Sequence, residues 1–177
     1  YSEAEIIIID IPLDIDYLND EPQLNFKSFE SAFSILGQQI SSGTLLVIET
    51  TVPPGTCKKI IIPILEYEMQ KRGMSLNDVY IAHSYERVMP GENYLASIID
   101  NWRVFSGLNE ESADACEEFL SSIINVKDYP LTRLSSLTES ETAKVMENTY
   151  RAVNIAFIDE WTKFAEKIGI DLFNVTE

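Results

Sequence analysis

Cysteine and histidine are both scarce in this chain, which contains two cysteines and one histidine in 177 residues. Two cysteines are too few for the disulfide framework of a small secreted protein, so a reducing compartment is expected. The single histidine has no cluster of cysteine or acidic residues around it at the spacing of metal ligands. We therefore predict a cytoplasmic protein that holds no metal ion.

Basic residues are also few, with 13 Lys and Arg against 29 Asp and Glu and a formal net charge of −16. Nucleic acids and anionic membranes are bound by surfaces rich in Lys and Arg, so neither is expected as a partner. The longest apolar run is far shorter than the roughly 20 residues that a membrane-spanning helix needs. The apolar content of 45% is nevertheless high enough for a packed globular core.

Strand patterns alternate with helix patterns before residue 134. Continuous apolar runs such as AEIIIIDIP at 4–12 are typical of strands that are buried on both faces of a parallel sheet. The acidic stretch 13–26 contains Pro22 and is expected to be a loop. The alternation predicts an α/β fold, a partial Rossmann-like, doubly wound parallel sheet with helices on both faces. Further strands are predicted at 44–49, 79–83 and 102–107, an edge strand within 126–131, helices at 29–40, 56–72 and 110–124, and a loop at 84–94.

One long helix is predicted from Glu139 to Ile168, a stretch without proline or glycine. Lys144, Asn148 and Arg151 lie within about 60° of each other on this helix, opposite an apolar stripe that is expected to be buried. This row of polar side chains is either a solvated helix face or a platform for an anion. The stripe consists of Met146, Tyr150, Val153, Phe157, Trp161, Phe164 and Ile168.

Three loops follow the carboxyl ends of predicted strands, where open α/β sheets bind their ligands. They begin at Pro12, Thr50 and Ser84. Thr50 and Thr51 precede a helix, so their hydroxyl groups are candidates to bind a ligand. The alternative is that Thr51 or Thr56 simply caps that helix. Glu86 is a candidate general base, and its alternative role is an ion pair within the loop.

Cys57 stands at the start of a predicted helix, a position that can lower the pKa of a thiol. A nucleophilic cysteine also needs a nearby base, and His83 is the one histidine in the sequence. A structural role is therefore favoured for Cys57. His83 itself is expected to be a structural residue at the end of a strand.

No G-x-G-x-x-G string occurs among the seven glycines. That string forms the turn that binds the pyrophosphate of a dinucleotide after the first strand of a Rossmann sheet. If the chain forms part of such a sheet, the first half of the sheet lies outside this sequence.

Four motifs in succession resemble those of the UDP-glucose/GDP-mannose dehydrogenase family. They are ETTVPPGT, PILE, AHSYERVMPG and ETAKVMENTYRAVNIA. The last motif is most similar to members that oxidise N-acetylated sugars, such as the UDP-N-acetylglucosamine and UDP-N-acetylmannosamine 6-dehydrogenases. The resemblance implies an NAD-dependent, four-electron oxidation of a sugar C6 alcohol to the uronate, through a cysteine thiohemiacetal and thioester, for polysaccharide biosynthesis.

The resemblance also implies roles for particular residues. Glu86 would be the base or water-activating carboxylate, Lys144 and Asn148 would stabilise the oxyanion at C6, and Thr51 would help to place water. Pro12, Thr50 and Thr51 would contact the cofactor, and Arg87 and Arg151 would contact the UDP-sugar. In the family the glycine fingerprint precedes the matching region and the nucleophilic cysteine follows it. The chain is therefore expected to be the middle of such an enzyme, inactive by itself.

The expected domain boundary lies between residues 134 and 135. Residues 1–134 would be the C-terminal part of the NAD-binding domain, and 135–177 would begin an all-α central domain that forms a homodimer through the long helix. Two alternatives remain open at this point. One is an oxidoreductase of the 6-phosphogluconate-dehydrogenase type, which acts on a hydroxy acid, and the other is a non-catalytic dimerisation module.

Overall fold

The computed structural model describes residues 1–18, 20–88 and 91–176. Its main sheet has five strands in the order β1 (Ile6–Ile9), β4 (Leu45–Ile48), β5 (Tyr80–His83), β6 (Val104–Gly107) and β7 (Thr132–Arg133). The strands β1, β4 and β5 are parallel, whereas β6 runs antiparallel to β5 and β7 runs parallel to β6. The predicted α/β fold is confirmed, with the difference that the sheet is mixed.

Helices cover both faces of the sheet, as the doubly wound prediction requires. On one face, α1 (Lys27–Gln39) and α2 (Ile62–Gln70) pack against Leu46 and Ile48 of β4. On the other, α4 (Glu110–Ser121) packs against Leu45 and Val47 of the same strand. Alternate residues of a strand point to opposite faces, so β4 supplies side chains to both cores. Its four residues are all buried.

The first strand differs from the prediction, because only one of its faces is buried. Ile7 and Ile9 are 7% and 4% exposed, whereas Ile6 and Ile8 are 42% and 48% exposed. The strand β1 is the edge of the sheet, and among the described residues no helix covers its second face. An apolar run therefore predicted the strand correctly but not its surroundings.

The stretch predicted as a loop at 13–26 forms an antiparallel hairpin, with β2 at Asp14–Leu18 and β3 at Glu21–Asn25. Asn19 of this stretch lies outside the described residues. Pro22 fits a two-stranded ribbon, where a missing N–H at the outer edge costs no ladder bond. Ile15, Tyr17 and Leu24 alternate with polar residues, which is the strand signal that the acidic composition obscured.

The other helices follow the sequence patterns with small shifts. A π-helical turn at Cys57–Ile61 precedes α2, and Pro63 stands in the first turn of α2, where its missing N–H is tolerated. A short 3₁₀ turn at Leu76–Asp78 leads into β5. The helix α3 (Tyr94–Ile99) was not predicted, and β7 lies just after the range predicted for an edge strand. Met89 and Pro90 of the predicted loop lie outside the described residues.

The long helix α5 extends from Leu137 to Ile168, as predicted to within two residues at its start. Ser136 caps its first turn by accepting a hydrogen bond from the Glu139 N–H, and Gly169 ends it with a φ of 73°. A final short helix, α6, covers Phe173–Thr176. No helix in the described part of the chain is both long enough and apolar enough to cross a membrane.

The prediction that α5 buries its apolar stripe is wrong for this chain. Tyr150, Phe157 and Trp161 are 74%, 58% and 46% exposed, and the rest of the stripe is exposed as well. The cause is the position of the helix: its first turns contact β5, β6 and the π-helical turn, and the remainder extends beyond the sheet. Buried residues of α5 are concentrated at its start, in Leu137, Ser140, Glu141 and Lys144.

Candidate active site

Three strand-end loops and the start of α5 meet at one edge of the sheet. Adjacent parallel strands end at the same edge, so the segments after β1, β4 and β5 lie side by side. They form a cleft of about 760 Å³ and a cavity of about 540 Å³. Thr51 and Glu86 line both, so the two spaces adjoin at these residues.

Lys144 and Glu86 are brought together from distant parts of the sequence. The Lys144 Nζ atom donates to the backbone carbonyl of Glu86 at 2.8 Å and lies 3.6 Å from Glu86 Oε1. The Lys144 side chain is only 8% exposed. Its ammonium also lies 5.1 Å from the centre of the Tyr85 ring, close enough for a cation–π contact. The long helix thus delivers a fixed positive charge to the end of β5.

The Glu86 carboxylate is oriented by its own loop. Its Oε2 atom accepts a hydrogen bond from the Val88 N–H at 2.5 Å, which leaves Oε1 toward Lys144. The side chain is 30% exposed and lines both cavities. An accessible carboxylate with one oriented oxygen can accept a proton from a bound alcohol or water.

The smaller cavity carries most of the positive charge of the site. Arg87, Lys144 and Arg151 line it together with Asn148. All three residues of the predicted polar row on α5, Lys144, Asn148 and Arg151, therefore line this cavity. The side chain of Arg151 is nevertheless 61% exposed. Such a set of donors suits an anionic or strongly hydroxylated ligand.

Sequence reasoning missed two polar residues of this cavity. Glu147 accepts hydrogen bonds from Arg87 Nη2 at 2.7 Å and Arg151 Nη2 at 3.0 Å, and so holds both guanidinium groups. Asn101 accepts a hydrogen bond from Arg87 Nη1 at 3.3 Å. The spacing of Glu147, three residues after Lys144 and four before Arg151, was a signal that it shares their helix face. Asn101 gave no comparable signal.

The larger cleft contains the residues predicted to contact a cofactor. Pro12, Thr50 and Thr51 all line it. Thr50 is buried and its hydroxyl group donates to the Ile11 carbonyl at 2.9 Å, so this side chain ties the loop after β4 to the end of β1. Thr51 is exposed, and its hydroxyl group is the accessible one of the pair.

A buried acidic residue joins α5 to the loop that carries these threonines. Glu141 is fully buried and accepts hydrogen bonds from the Gly55 N–H at 2.5 Å and the Cys57 N–H at 2.7 Å. Its carboxylate occupies the start of the π-helical turn, where unpaired N–H groups favour a negative charge. Glu141 therefore fixes the distance between Lys144 and the Thr50–Thr51 loop.

Cys57 is part of this buried junction and has no catalytic geometry. Burial raises the pKa of its thiol well above the ordinary value, and the neighbouring Glu141 raises it further. A thiol that stays protonated is a poor nucleophile. The structural interpretation of Cys57 agrees with this environment.

A largely buried ion pair between Arg103 and Glu49 adjoins the larger cleft, which Glu49 lines. Arg103 Nη1 donates to Glu49 Oε1 at 3.1 Å and to the backbone carbonyl of Tyr85 at 2.8 Å. Burial raises the pKa of the Glu49 carboxyl, while the Arg103 guanidinium acts in the opposite direction. Because Tyr85 precedes Glu86, Arg103 anchors the backbone that carries the candidate base.

His83 stands at the end of a hydrogen-bonded group behind the site that is centred on Ser140. Its Nδ1 atom lies 2.8 Å from the Ser140 hydroxyl group, which lies 2.7 Å from the Ser106 hydroxyl group. The Nε2 atom has no hydrogen-bond partner among the described residues. Burial lowers the pKa of His83 to about 4, Lys144 also lowers it, and a backbone contact with Thr50 acts in the opposite direction.

We expect the His83 imidazole to titrate near pH 4 in the folded chain. The unfolded chain would bind a proton near the ordinary histidine pKa of about 6.5. The folded state therefore loses up to about 3 kcal/mol of stability as the pH falls from about 6.5 to 4. Because the sequence contains one histidine, its NMR signal needs no assignment. A titration in urea is the control, and a midpoint near 6.5 in the folded protein would contradict the burial argument.

Two family profiles match the chain in succession. Residues 1–124 match the NAD binding domain of the UDP-glucose/GDP-mannose dehydrogenase family. Residues 138–177 match the central domain of the same family. Together the two profiles cover the strands β1 to β6 and all but the first residue of the long helix.

Individual relatives carry related names. The chain is 33% identical to the UDP-N-acetyl-D-mannosamine dehydrogenase of Methanocaldococcus jannaschii, over 99% of this chain and 38% of that protein. It is 30% identical to the UDP-N-acetyl-D-glucosamine 6-dehydrogenase of Pseudomonas aeruginosa, over 96% of this chain and 38% of that protein. The solved structure of the UDP-D-ManNAc dehydrogenase from Pyrococcus horikoshii matches with a TM-score of 0.83 and 29% identity. The match covers 98% of this chain and 39% of that protein. The chain thus spans under two fifths of the length of these relatives.

Proposed function

Because the chain belongs to the UDP-glucose/GDP-mannose dehydrogenase family, we propose that it provides the central part of an NAD-dependent nucleotide-sugar 6-dehydrogenase. The substrate would be a UDP-N-acetylhexosamine, oxidised at C6 to the uronate for polysaccharide biosynthesis in the cytoplasm. The complete enzyme would consist of this chain together with segments that correspond to the rest of its relatives.

The observation that carries the proposal is the meeting of two unlike spaces at Thr51 and Glu86. On one side lies the cleft at the strand ends, lined largely by apolar side chains, and on the other lies the cavity with Arg87, Lys144 and Arg151. A hydride transfer needs a flat cofactor ring and an alcohol in contact at one place. The residues of the cleft fit the nicotinamide half of NAD, because the cleft has the volume and the apolar lining of a ligand pocket.

Each residue around this junction has a chemical task in the proposed reaction. NAD, when bound, supplies the hydride acceptor. Glu86 accepts the proton of the C6 alcohol and later orients a water molecule. Lys144 and Asn148 donate to the oxygen on C6 as negative charge develops there, and the burial of Lys144 strengthens that interaction. Thr51 helps to position the water.

The arginines bind the charged part of the substrate in this proposal. Arg87 and Arg151 are both held by Glu147, so their guanidinium groups are ordered before a ligand arrives. Ordered guanidinium groups bind phosphate oxygens with geometric specificity. The diphosphate of a UDP-sugar is the anion that we assign to them.

The proposal is tested by measuring NAD reduction in the complete enzyme with a panel of substrates. Reduction of two NAD per sugar with UDP-N-acetylglucosamine or UDP-N-acetylmannosamine is the expected result. Activity with a hydroxy acid such as 6-phosphogluconate, and none with nucleotide sugars, would instead support the alternative oxidoreductase. Absence of reduction with every substrate, despite normal folding, would favour a non-catalytic module.

We also propose that residues 135–177 begin a central helical domain that dimerises through α5, with residues 1–134 belonging to the NAD-binding domain. The exposed apolar stripe of α5 supports this, because contiguous apolar surface of that kind normally marks an interface. Phe157, Trp161 and Phe164 also pack against one another along this face.

We expect Trp161→Lys to weaken self-association of the chain by at least tenfold in its dissociation constant. The substitution places a charge in the middle of the stripe, where desolvation in a dimer is costly. Sedimentation equilibrium over a range of concentrations measures the effect. Asp159→Lys adds the same side chain on the opposite side of the helix and should have little effect. A wild-type chain that stays monomeric at high concentration would contradict the proposed interface.

A further inference from the structure

The hairpin β2–β3 has one apolar and one mostly polar face. Ile15 pairs with Leu24 and Tyr17 pairs with Pro22, and because cross-strand partners share a face, these four side chains lie together. The opposite face carries the pairs Asp14–Asn25 and Asp16–Gln23, with a hydrogen bond of 2.8 Å from Asn25 to Asp16, and also Leu18. The two strands contact mainly each other. Packing within the described residues therefore does not explain the apolar face.

Part of this apolar face forms a wall of the larger cleft. Ile15 and Leu24 line the cleft with Thr51 and Glu86, yet they remain 56% and 45% exposed. Tyr17 does not line the cleft. The hairpin thus presents one cross-strand pair of side chains to the junction at which the proposed hydride transfer occurs.

The charge of the cleft indicates which part of a ligand this wall can face. The described residues that line it include Asp10, Glu49 and Glu86 but no basic side chain. Phosphate groups would be repelled there, and they find arginines in the neighbouring cavity instead. A flat ring that is neutral or positively charged is compatible with carboxylates and apolar walls.

Resting on the proposed function, we propose that Ile15 and Leu24 form a binding wall for the nicotinamide ring of the cofactor. The oxidised ring is positively charged and apolar on its faces, which matches both the carboxylates and the hairpin. The hairpin then contributes to the affinity for NAD through the nicotinamide half alone. The adenosine half and the nucleotide sugar make no contact with this pair of side chains.

The test compares the double variant Ile15→Ser/Leu24→Ser of the complete enzyme with the wild-type protein. Equilibrium dissociation constants are measured by calorimetry for NAD, for ADP-ribose, which lacks the nicotinamide ring, and for the UDP-sugar. We expect the dissociation constant for NAD to rise about tenfold or more, because two apolar contacts are lost. The constants for ADP-ribose and the UDP-sugar should stay within about twofold of wild type.

The control variant is Leu18→Ser, which makes the same kind of change on the opposite face of the hairpin, outside the cleft. It should leave all three dissociation constants unchanged. An equal loss of affinity for ADP-ribose, a loss confined to the UDP-sugar, or no loss for NAD would each overturn the role of the hairpin while leaving the proposed function intact. A wild-type enzyme that binds no NAD would overturn both.

Discussion

Replacing Lys144 with alanine is expected to lower kcat of the complete enzyme by about a hundredfold or more, with a much smaller change in KM for the nucleotide sugar. The Lys144 ammonium is buried beside Glu86, where water screens its charge poorly. An oxygen that gains negative charge during the reaction is therefore stabilised more strongly than the neutral alcohol. Steady-state NAD reduction with a UDP-N-acetylhexosamine measures the effect.

A matched control lies farther along the same helix. Lys163 is exposed and pairs with Asp159 and Glu160, so Lys163→Ala should leave kcat within about twofold of wild type. Glu86→Gln preserves the shape of the side chain but removes the base, and a loss of about a hundredfold or more is expected there too. If Lys144→Ala changed kcat less than threefold, the ammonium would have no part in the chemical step.

Glu141→Ala is expected to destabilise the chain by about 3 kcal/mol and to lower its Tm by roughly 10 °C. The carboxylate is the acceptor for two buried N–H groups, those of Gly55 and Cys57. Removing it leaves both groups buried without a partner, which costs more than the loss of an exposed hydrogen bond. Thermal unfolding followed by circular dichroism measures the change.

Glu166→Ala is the control for this prediction, because Glu166 is an exposed carboxylate near the far end of the same helix. Glu166→Ala should change the free energy of unfolding by no more than about 0.5 kcal/mol. Equal melting temperatures for Glu141→Ala and Glu166→Ala would show that the junction between α5 and the π-helical turn does not stabilise the fold.

The sequence predicted the elements that depend on local pattern. The buried strand β4 and the helix α5 were recognisable because apolar periodicity and the absence of glycine and proline are properties of short windows. The hairpin was missed because its acidic residues and Pro22 suggested a loop. The antiparallel direction of β6 depends on how distant segments pair, and no local pattern records that.

The candidate site was predictable in outline and not in its supporting contacts. Resemblance to a family singled out Glu86 and Lys144, which the structure places 3.6 Å apart. The contacts of Glu141 and Arg103 were not predicted, because their partners are mostly backbone groups of segments far away in sequence. A buried acceptor of backbone N–H groups has no sequence signature of its own.

The geometry of α5 has a mechanical consequence. With 32 residues, the helix is about 48 Å long. Glu141 fixes the first turns of the helix to the start of the π-helical turn, whereas its distal half lies beyond the sheet. A tilt of only about 5° about that fixed end would displace the far end by roughly 4 Å. A protein surface that binds the distal half of α5 could therefore shift the turn that carries Lys144, because the helix acts as a long lever.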